Sequence, residues 1–487
     1  MNRRDFLKFS LLTSTLLLNS CGSSNDKINT AQTDSVGLLI NQNLAIPTLL
    51  SPKEDENGIK QYNLNITSNQ HNFYQDYTTS TYGINQSYLG NTLLLKNNDK
   101  VSINYTNNLK ETTTMHGHGM HVPASQDGGV HQKIEPNDTW SAEYTVNQKA
   151  CTNWYHPHLM GKTAEHVYQG LAGLIIIEDE DSDTLNLPKT YGIDDIPLIV
   201  QDRQLLNHQL DYNPDNRDIM MGYRGDTLIT NGQISPQFSA KTGLLRLRIL
   251  NGSNASMYKF YFENNISFSQ IATDNSFLES PVALTELILS PSERAEIVVD
   301  LSSYSGDFLL FKVQETIDNK LNQSTVLTIN VLTNSANVLT LPNSLITHDT
   351  IDLADVVRTR NFTLEGTGNR GNPKLTINNK EMDMTRIDET LKVNELEIWH
   401  IQNNMGMNHN FHIHATYFIP YKRNGSESNI KDNEKGPKDC IHLAPNENVD
   451  ILVKMTDYID SNGKYMYHCH FLEHEDAGMM GQFVVKS

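Results

Sequence analysis

Ten of the eighteen histidines in this 487-residue chain fall into four short groups. The first is His116-Gly-His118 and the second is His156-Pro-His158. The third holds His409, His412 and His414. The fourth places His468 and His470 on either side of Cys469, with His474 and Met479 just beyond. Imidazole is the commonest metal ligand among side chains. Residues i and i+2 of a strand share a face, about 6.6 Å apart, and metal–nitrogen bonds are about 2 Å. A His-x-His pair can therefore grip one ion or serve two neighbouring ions. Four such pairs offer eight imidazoles, too many for a single ion.

The fourth group adds a different chemistry. One thiolate, two imidazoles and a weak axial thioether form the ligand set of a blue-copper electron-transfer site. Cys469, His474 and Met479 supply three of these, and His409 is left over from the third group. Zinc competes for Cys and His, but Cys469 lies between His468 and His470. That covalent connection to the other imidazoles has no use for a redox-inert ion.

The elements that position these residues repeat along the chain. Val101–Asn108, Leu245–Gly252 and Leu396–Asn404 each alternate apolar and polar residues and end in a turn, as half-buried strands do. Their starts lie about 150 residues apart, one domain length. Downstream of each, a Pro-led turn feeds a second strand: Glu135-Pro136-Asn137-Asp138, Ser290-Pro291-Ser292-Glu293 and Ala444-Pro445-Asn446-Glu447. This predicts an all-β chain of three sandwich domains, at 51–182, 187–345 and 355–487. The first and third copies carry His after the first strand, whereas the second reads Ala255-Ser-Met-Tyr-Lys-Phe260. Domains one and three should hold the metals, with domain two as a spacer.

These four motifs, in this order, resemble the signature of multicopper oxidases. The wording of Leu187–Asp195, Gly170–Leu174 and His474–Met480 is similar to the bacterial cuprous oxidase and laccase-like branch. The resemblance implies three cupredoxin-like Greek-key sandwiches and four copper ions. His409, Cys469, His474 and axial Met479 would hold the type 1 copper. His116 and His412 would hold type 2, and His118, His156, His158, His414, His468 and His470 the type 3 pair. It further implies oxidation of a small reductant coupled to reduction of O2 to water, with Asp127 and Glu475 relaying protons. Gly117 and Asn410 depart from the family, which commonly has Trp and Pro there.

The electron donor is less defined. Met405 and Met407 precede His409, and Met382 and Met384 flank Asp383. Thioethers prefer Cu(I), so these residues form a candidate Cu(I) substrate site, with copper tolerance as the role. The alternatives are a general laccase acting on phenols or aromatic amines, and a non-enzymatic copper-binding envelope protein. His121, His131, His166 and His442 match no ligand position.

A net charge of −19 argues against nucleic acid as a partner. Arg3-Arg4-Asp-Phe-Leu-Lys8 before the apolar Phe9–Leu18 reads as a twin-arginine export signal over residues 1–21. It predicts a periplasmic or envelope location. Cys21 ends a lipoprotein-like box, a candidate lipid anchor, and residues 22–50 read as a polar linker. No transmembrane helix is expected in the mature protein, which is expected to be a monomer. Cys151 and Cys440 remain, as a disulfide or as two buried thiols.

Overall fold

The computed structural model describes residues 37–317, 320–336, 339–369 and 372–487. The export signal, Cys21 and residues 22–36 lie outside the described residues. Strands dominate, in three consecutive pairs of sheets and one two-stranded ribbon, Leu205–Leu206 with Gln209–Leu210.

The three pairs share one topology. The three repeated strands are Lys100–Asn107, Leu244–Asn251 and Leu396–Asn403. Each runs parallel to an early strand of its unit, Lys60–His71, Asp195–Arg203 or Val356–Asn369. Each is antiparallel to the strand behind the Pro-led turn, namely Thr139–Thr145, Arg294–Asp300 or Asn448–Lys454. The facing sheets repeat as well. Strands His116–His118, Tyr258–Phe262 and His409–Ile413 occupy the same place beside a long antiparallel neighbour. The copper-type motifs thus sit on equivalent strands of the first and third units. The equivalent strand of the second carries Tyr258, Phe260 and Phe262 in an apolar core.

Each pair closes on its own apolar cluster. Tyr62, Leu64, Ile103 and Tyr155 mark the first, Leu247, Ile249, Phe260 and Phe311 the second, and Phe362, Trp399, Phe411 and Tyr467 the third. The alternation of apolar residues that marks the strands in the sequence is what fills these cores.

Residues 37–50 differ from the expected linker. They lie against the sheets through bridges of Leu38 to Tyr74, Ile40 to Ile234, Asn43 to Gln237 and Leu49 to Thr92. Leu44 is buried in the core of the second pair. Apolar residues at Leu44, Ile46, Leu49 and Leu50 within a polar stretch give the segment something to bury, so it is a strap and not a free tether. Among the described residues, no helix is long and apolar enough to cross a membrane.

Candidate metal centres

The thiolate site takes Cys469, His474 and Met479 from one short stretch and His409 from a separate strand. His409 opens its strand, and Cys469 follows the end of strand Asp460–His468. The five-residue helix Leu472–Asp476 then carries His474, and Met479 precedes the last strand. Backbone hydrogen bonds cinch the loop: Met479 N–H donates to His474 O at 2.9 Å, and Cys469 N–H to Met479 O at 3.2 Å. Cys469 Sγ lies 3.4 Å from His409 Nδ1 and 3.5 Å from His474 Nδ1. The two Nδ1 atoms are 3.2 Å apart. His474 Nε2–H donates to the Met220 carbonyl at 3.1 Å, which leaves an Nδ1 lone pair aimed at sulfur. Met479 is fully buried in the same apolar cluster as Cys469 and Phe471. Burial pushes the Cys469 thiol up to about 12, so a thiolate here calls for a cation.

Eight further imidazoles meet where the first and third units face each other. His116 stands opposite His156 in one antiparallel pair, and His412 opposite His468 in another. The His116 ring stacks on His414 with centroids 4.0 Å apart, and His118 on His412 at 3.8 Å. All eight are buried.

Their tautomers are set by their second nitrogens. Nδ1–H donates to a carbonyl in His116 (Asp127 O, 2.7 Å), His156 (Pro157 O, 2.7 Å), His412 (Asp439 O, 2.8 Å) and His468 (Cys469 O, 3.0 Å). His414 Nδ1 donates to Asp127 Oδ2 at 2.8 Å. The matching Nε2 atoms therefore carry lone pairs. His468 Nε2 lies 3.2 Å from His414 Nε2, so two acceptors face each other. Nε2 of His116 and of His412 is buried with no partner. His118 is reversed: its Nε2–H donates to Asp439 Oδ1 at 2.9 Å, and its Nδ1 is the unpartnered atom. Converging lone pairs with no donor between them are what bound cations require. The donor atoms gather into sets such as His116/His118/His156, His116/His412/His414 and His158/His414/His468, beside His409/Cys469/His474.

Both expected carboxylates are here. Asp127 Oδ1 lies 3.6 Å from His116 Nδ1. Gly128, at φ +73°, lets the chain turn there, and a Cβ would strike the Met115 carbonyl. Glu475 lies 3.3 Å from His158 Nδ1 and 3.4 Å from His468 Nδ1, and neither of its oxygens has a hydrogen bond. Burial raises both carboxyls well above the usual range.

The methionines divide. Met405 Sδ lies 3.1 Å from His409 Nε2. A Cβ on Gly366 would meet both Met405 and Met220, so these two side chains neighbour each other. Met407 is half-buried, and its carbonyl accepts from Asn403. Met382 and Met384 sit on another loop, where Met382 N–H donates to Gly478 O and the Met384 carbonyl accepts from Lys464. Asp383 Oδ1 accepts from the Thr385 amide and hydroxyl.

His121, His131, His166 and His442 bond or face Asp457, Gln482, Thr113 and Asn408, outside the metal-type sets. Cys151 and Cys440 are separate buried thiols. Asp439, Arg294 and Met220 were not singled out by the sequence, and Asn410 stood out only as a departure from a common proline. Asp439 sits in a stretch without periodicity. Arg294 had a signal: it holds the place, three residues after the turn proline, where the other copies have Thr139 and Asn448.

Three cupredoxin-type sandwiches with a thiolate–imidazole site beside an eight-imidazole cluster define a redox metalloprotein. The chain belongs to the multicopper oxidase family: that family's sequence profiles match residues 65–182 and 354–487. It is 39% identical over 446 residues to the multicopper oxidase mco of Staphylococcus aureus, covering 91% of this chain and 92% of that one. It is 33% identical over 448 residues to the cell division protein FtsP of Xenorhabdus nematophila, covering 90% and 91%. The crystal structure of the laccase from Pediococcus acidilactici superposes with a TM-score of 0.84 at 31% identity, covering 92% and 94%. The chain is an oxidoreductase that uses O2, and copper is its metal.

Proposed function

We propose that this is a four-copper oxidase whose reductant is Cu(I), exported by its N-terminal signal and serving copper tolerance. His409, Cys469, His474 and Met479 hold the type 1 copper. His116 and His412 hold type 2, and the remaining six imidazoles of the cluster hold the type 3 pair. When bound, these ions supply one-electron oxidation of the reductant and four-electron reduction of O2 to water. The polypeptide supplies the rest. Cys469 joins the two sites covalently through His468 and His470. Cys469 is fully buried in an apolar cluster that also holds Phe411, Phe471 and Leu443, which keeps water from the thiolate. Asp127 and Glu475 hold protons within reach of cluster imidazoles. Residues 51–182, 187–345 and 355–487 act as the three domains.

The observation that carries Cu(I) as substrate is the cover over the type 1 imidazoles. His409 and His474 have no exposed surface. The outer nitrogen of one faces Met405 sulfur, and that of the other bonds the Met220 carbonyl. An organic ring cannot lie against either imidazole, whereas a thioether beside His409 is a soft ligand for a cuprous ion.

The test is oxygen uptake by the copper-loaded protein with stabilised Cu(I) and with a simple phenol. Faster turnover with Cu(I), reduced about tenfold or more in Met405→Leu with the blue spectrum retained, supports the reading. Preference for the phenol makes the chain a general laccase. Full copper loading with no uptake would point to a non-enzymatic envelope role.

A further inference from the structure

The second unit contributes no histidine to the cluster, yet one of its side chains reaches into the cluster's support. Arg294 begins strand Arg294–Asp300 and is fully buried. Its Nη1 donates to Asp439 Oδ1 at 2.7 Å and its Nη2 to Asp439 Oδ2 at 2.6 Å, a bidentate pair. It also donates to the first unit, with Nε on Thr152 O at 2.9 Å and Nη2 on Asn153 Oδ1 at 2.7 Å, and to its own unit, with Nη1 on Ser292 O at 3.3 Å and Nη2 on Asp274 O at 3.2 Å. Asp274, also of the second unit, accepts from Arg294 N–H at 2.8 Å and pairs with Lys438 at 3.0 Å, next to Asp439 in the chain. One guanidinium thus binds all three units. The fit is close: a Cβ on Gly119, next to His118, would lie 2.5 to 2.6 Å from Asn153, Arg294 and Asp439.

Asp439 is in turn the residue that orients two cluster imidazoles. Its carboxylate accepts from His118 Nε2–H and its carbonyl from His412 Nδ1–H. His118 differs from the histidines whose Nδ1 donates to a carbonyl: it offers Nδ1 to the cluster, and only an acceptor held at Nε2 enforces that tautomer.

We propose that Arg294 is a positioning residue for the copper cluster: it fixes the Asp439 carboxylate, which locks His118 with Nδ1 as its ligand atom. The inference rests on the copper assignment above. It turns the middle unit from a spacer into the holder of the cluster's geometry. Lys at 294 can keep the charge but not the bidentate fork.

The test compares copper-loaded wild type with Arg294→Met, Arg294→Lys and Asp439→Asn. Copper per chain is measured during chelator titration, and paramagnetic resonance reads the type 1 and type 2 signals in the same samples. The expected result is copper loss from the cluster at about 10- to 100-fold lower chelator in Arg294→Met. The type 2 signal should change while the type 1 signal per chain stays the same. Arg294→Lys should recover part of the affinity, and Asp439→Asn should match Arg294→Met. Two results overturn the proposal: unaltered cluster affinity and type 2 signal in Arg294→Met, or parallel loss of both signals in all three variants with a lowered unfolding temperature. Wild type lacking a type 2 signal would overturn the copper assignment itself, a result visible before any variant is compared.

Discussion

The two metal-type regions are put together in opposite ways. The four candidate ligands of the thiolate site come from residues 409–479, with a loop closed by local hydrogen bonds and with Cys469 and Met479 packed in one apolar cluster. The imidazole cluster takes four rings from the first unit and four from the third. Its three carboxylates all reach across the seam: Asp127 to His414, Asp439 to His118, and Glu475 to His158. The thiolate-site ligands therefore come from one sandwich, with the Met220 carbonyl of the second unit accepting from His474, whereas the cluster is a property of the assembly. Perturbing the first should leave the second filled. Perturbing the seam should empty or slow the cluster while the blue site survives.

Cys469→Ser is the strongest break. It removes the thiolate, so the blue absorption and turnover disappear, yet the eight imidazoles keep their partners. Copper analysis should find the cluster's ions retained. Loss of all copper would show that the two regions are not independent. Next come the seam carboxylates. Asp127→Asn and Glu475→Gln remove the buried carboxyls proposed to relay protons beside the imidazoles, and each should slow O2 reduction by about 10²- to 10⁴-fold. Reduction of the blue centre by the donor, followed by stopped-flow absorbance, should keep its rate.

Acid should separate the regions less sharply. Burial first and neighbouring imidazoles second hold His116, His156, His414 and His468 well below the ordinary 6.5, and burial takes His158 to about 3. In the unfolded chain these groups take up protons near 6.5. The unfolded state therefore binds more protons below that pH, and folding stability falls as pH drops from 6.5 toward 3. Each such histidine costs about 1.4 kcal/mol per pH unit in that window. Denaturant midpoints of the copper-free protein should fall accordingly from pH 7 to pH 5, and a flat profile would contradict the burial of these rings.

What the sequence revealed follows the same division. Groups that are close in the chain were legible: His468-Cys469-His470 with His474 and Met479 announces a thiolate site because one loop makes it. The three-fold repeat was legible because alternation and Pro-led turns are local. Asp439 and Arg294 were not, since their partners lie 321 and 145 residues away. Residues 37–50 read as a linker because polar composition hides the few apolar residues that dock them. Asn410 was noticed only as a departure from a common proline, with no hint of what its amide touches.

That amide touches Cys469 and His470 together, so it gives the smallest and sharpest test. Asn410 Oδ1 accepts from His470 N–H at 2.6 Å, which fixes the amide's orientation, and the same oxygen lies 3.6 Å from Cys469 Sγ. Its Nδ2 donates to Ser290 Oγ at 3.1 Å and Pro291 O at 2.8 Å, in the second unit. A carbonyl oxygen beside the sulfur places negative charge where the oxidised site is more positive than the reduced one. Its removal should raise the reduction potential of the blue centre. Asn410→Ala also strands the buried His470 N–H, a loss of about 1–3 kcal/mol. The expected outcome is a modest drop in unfolding midpoint and a higher potential in redox titration, with full copper in both regions. A cluster that loses its ions in Asn410→Ala would show instead that the backbone at His470 depends on this amide, and that the boundary between the local site and the assembled one runs through residue 410.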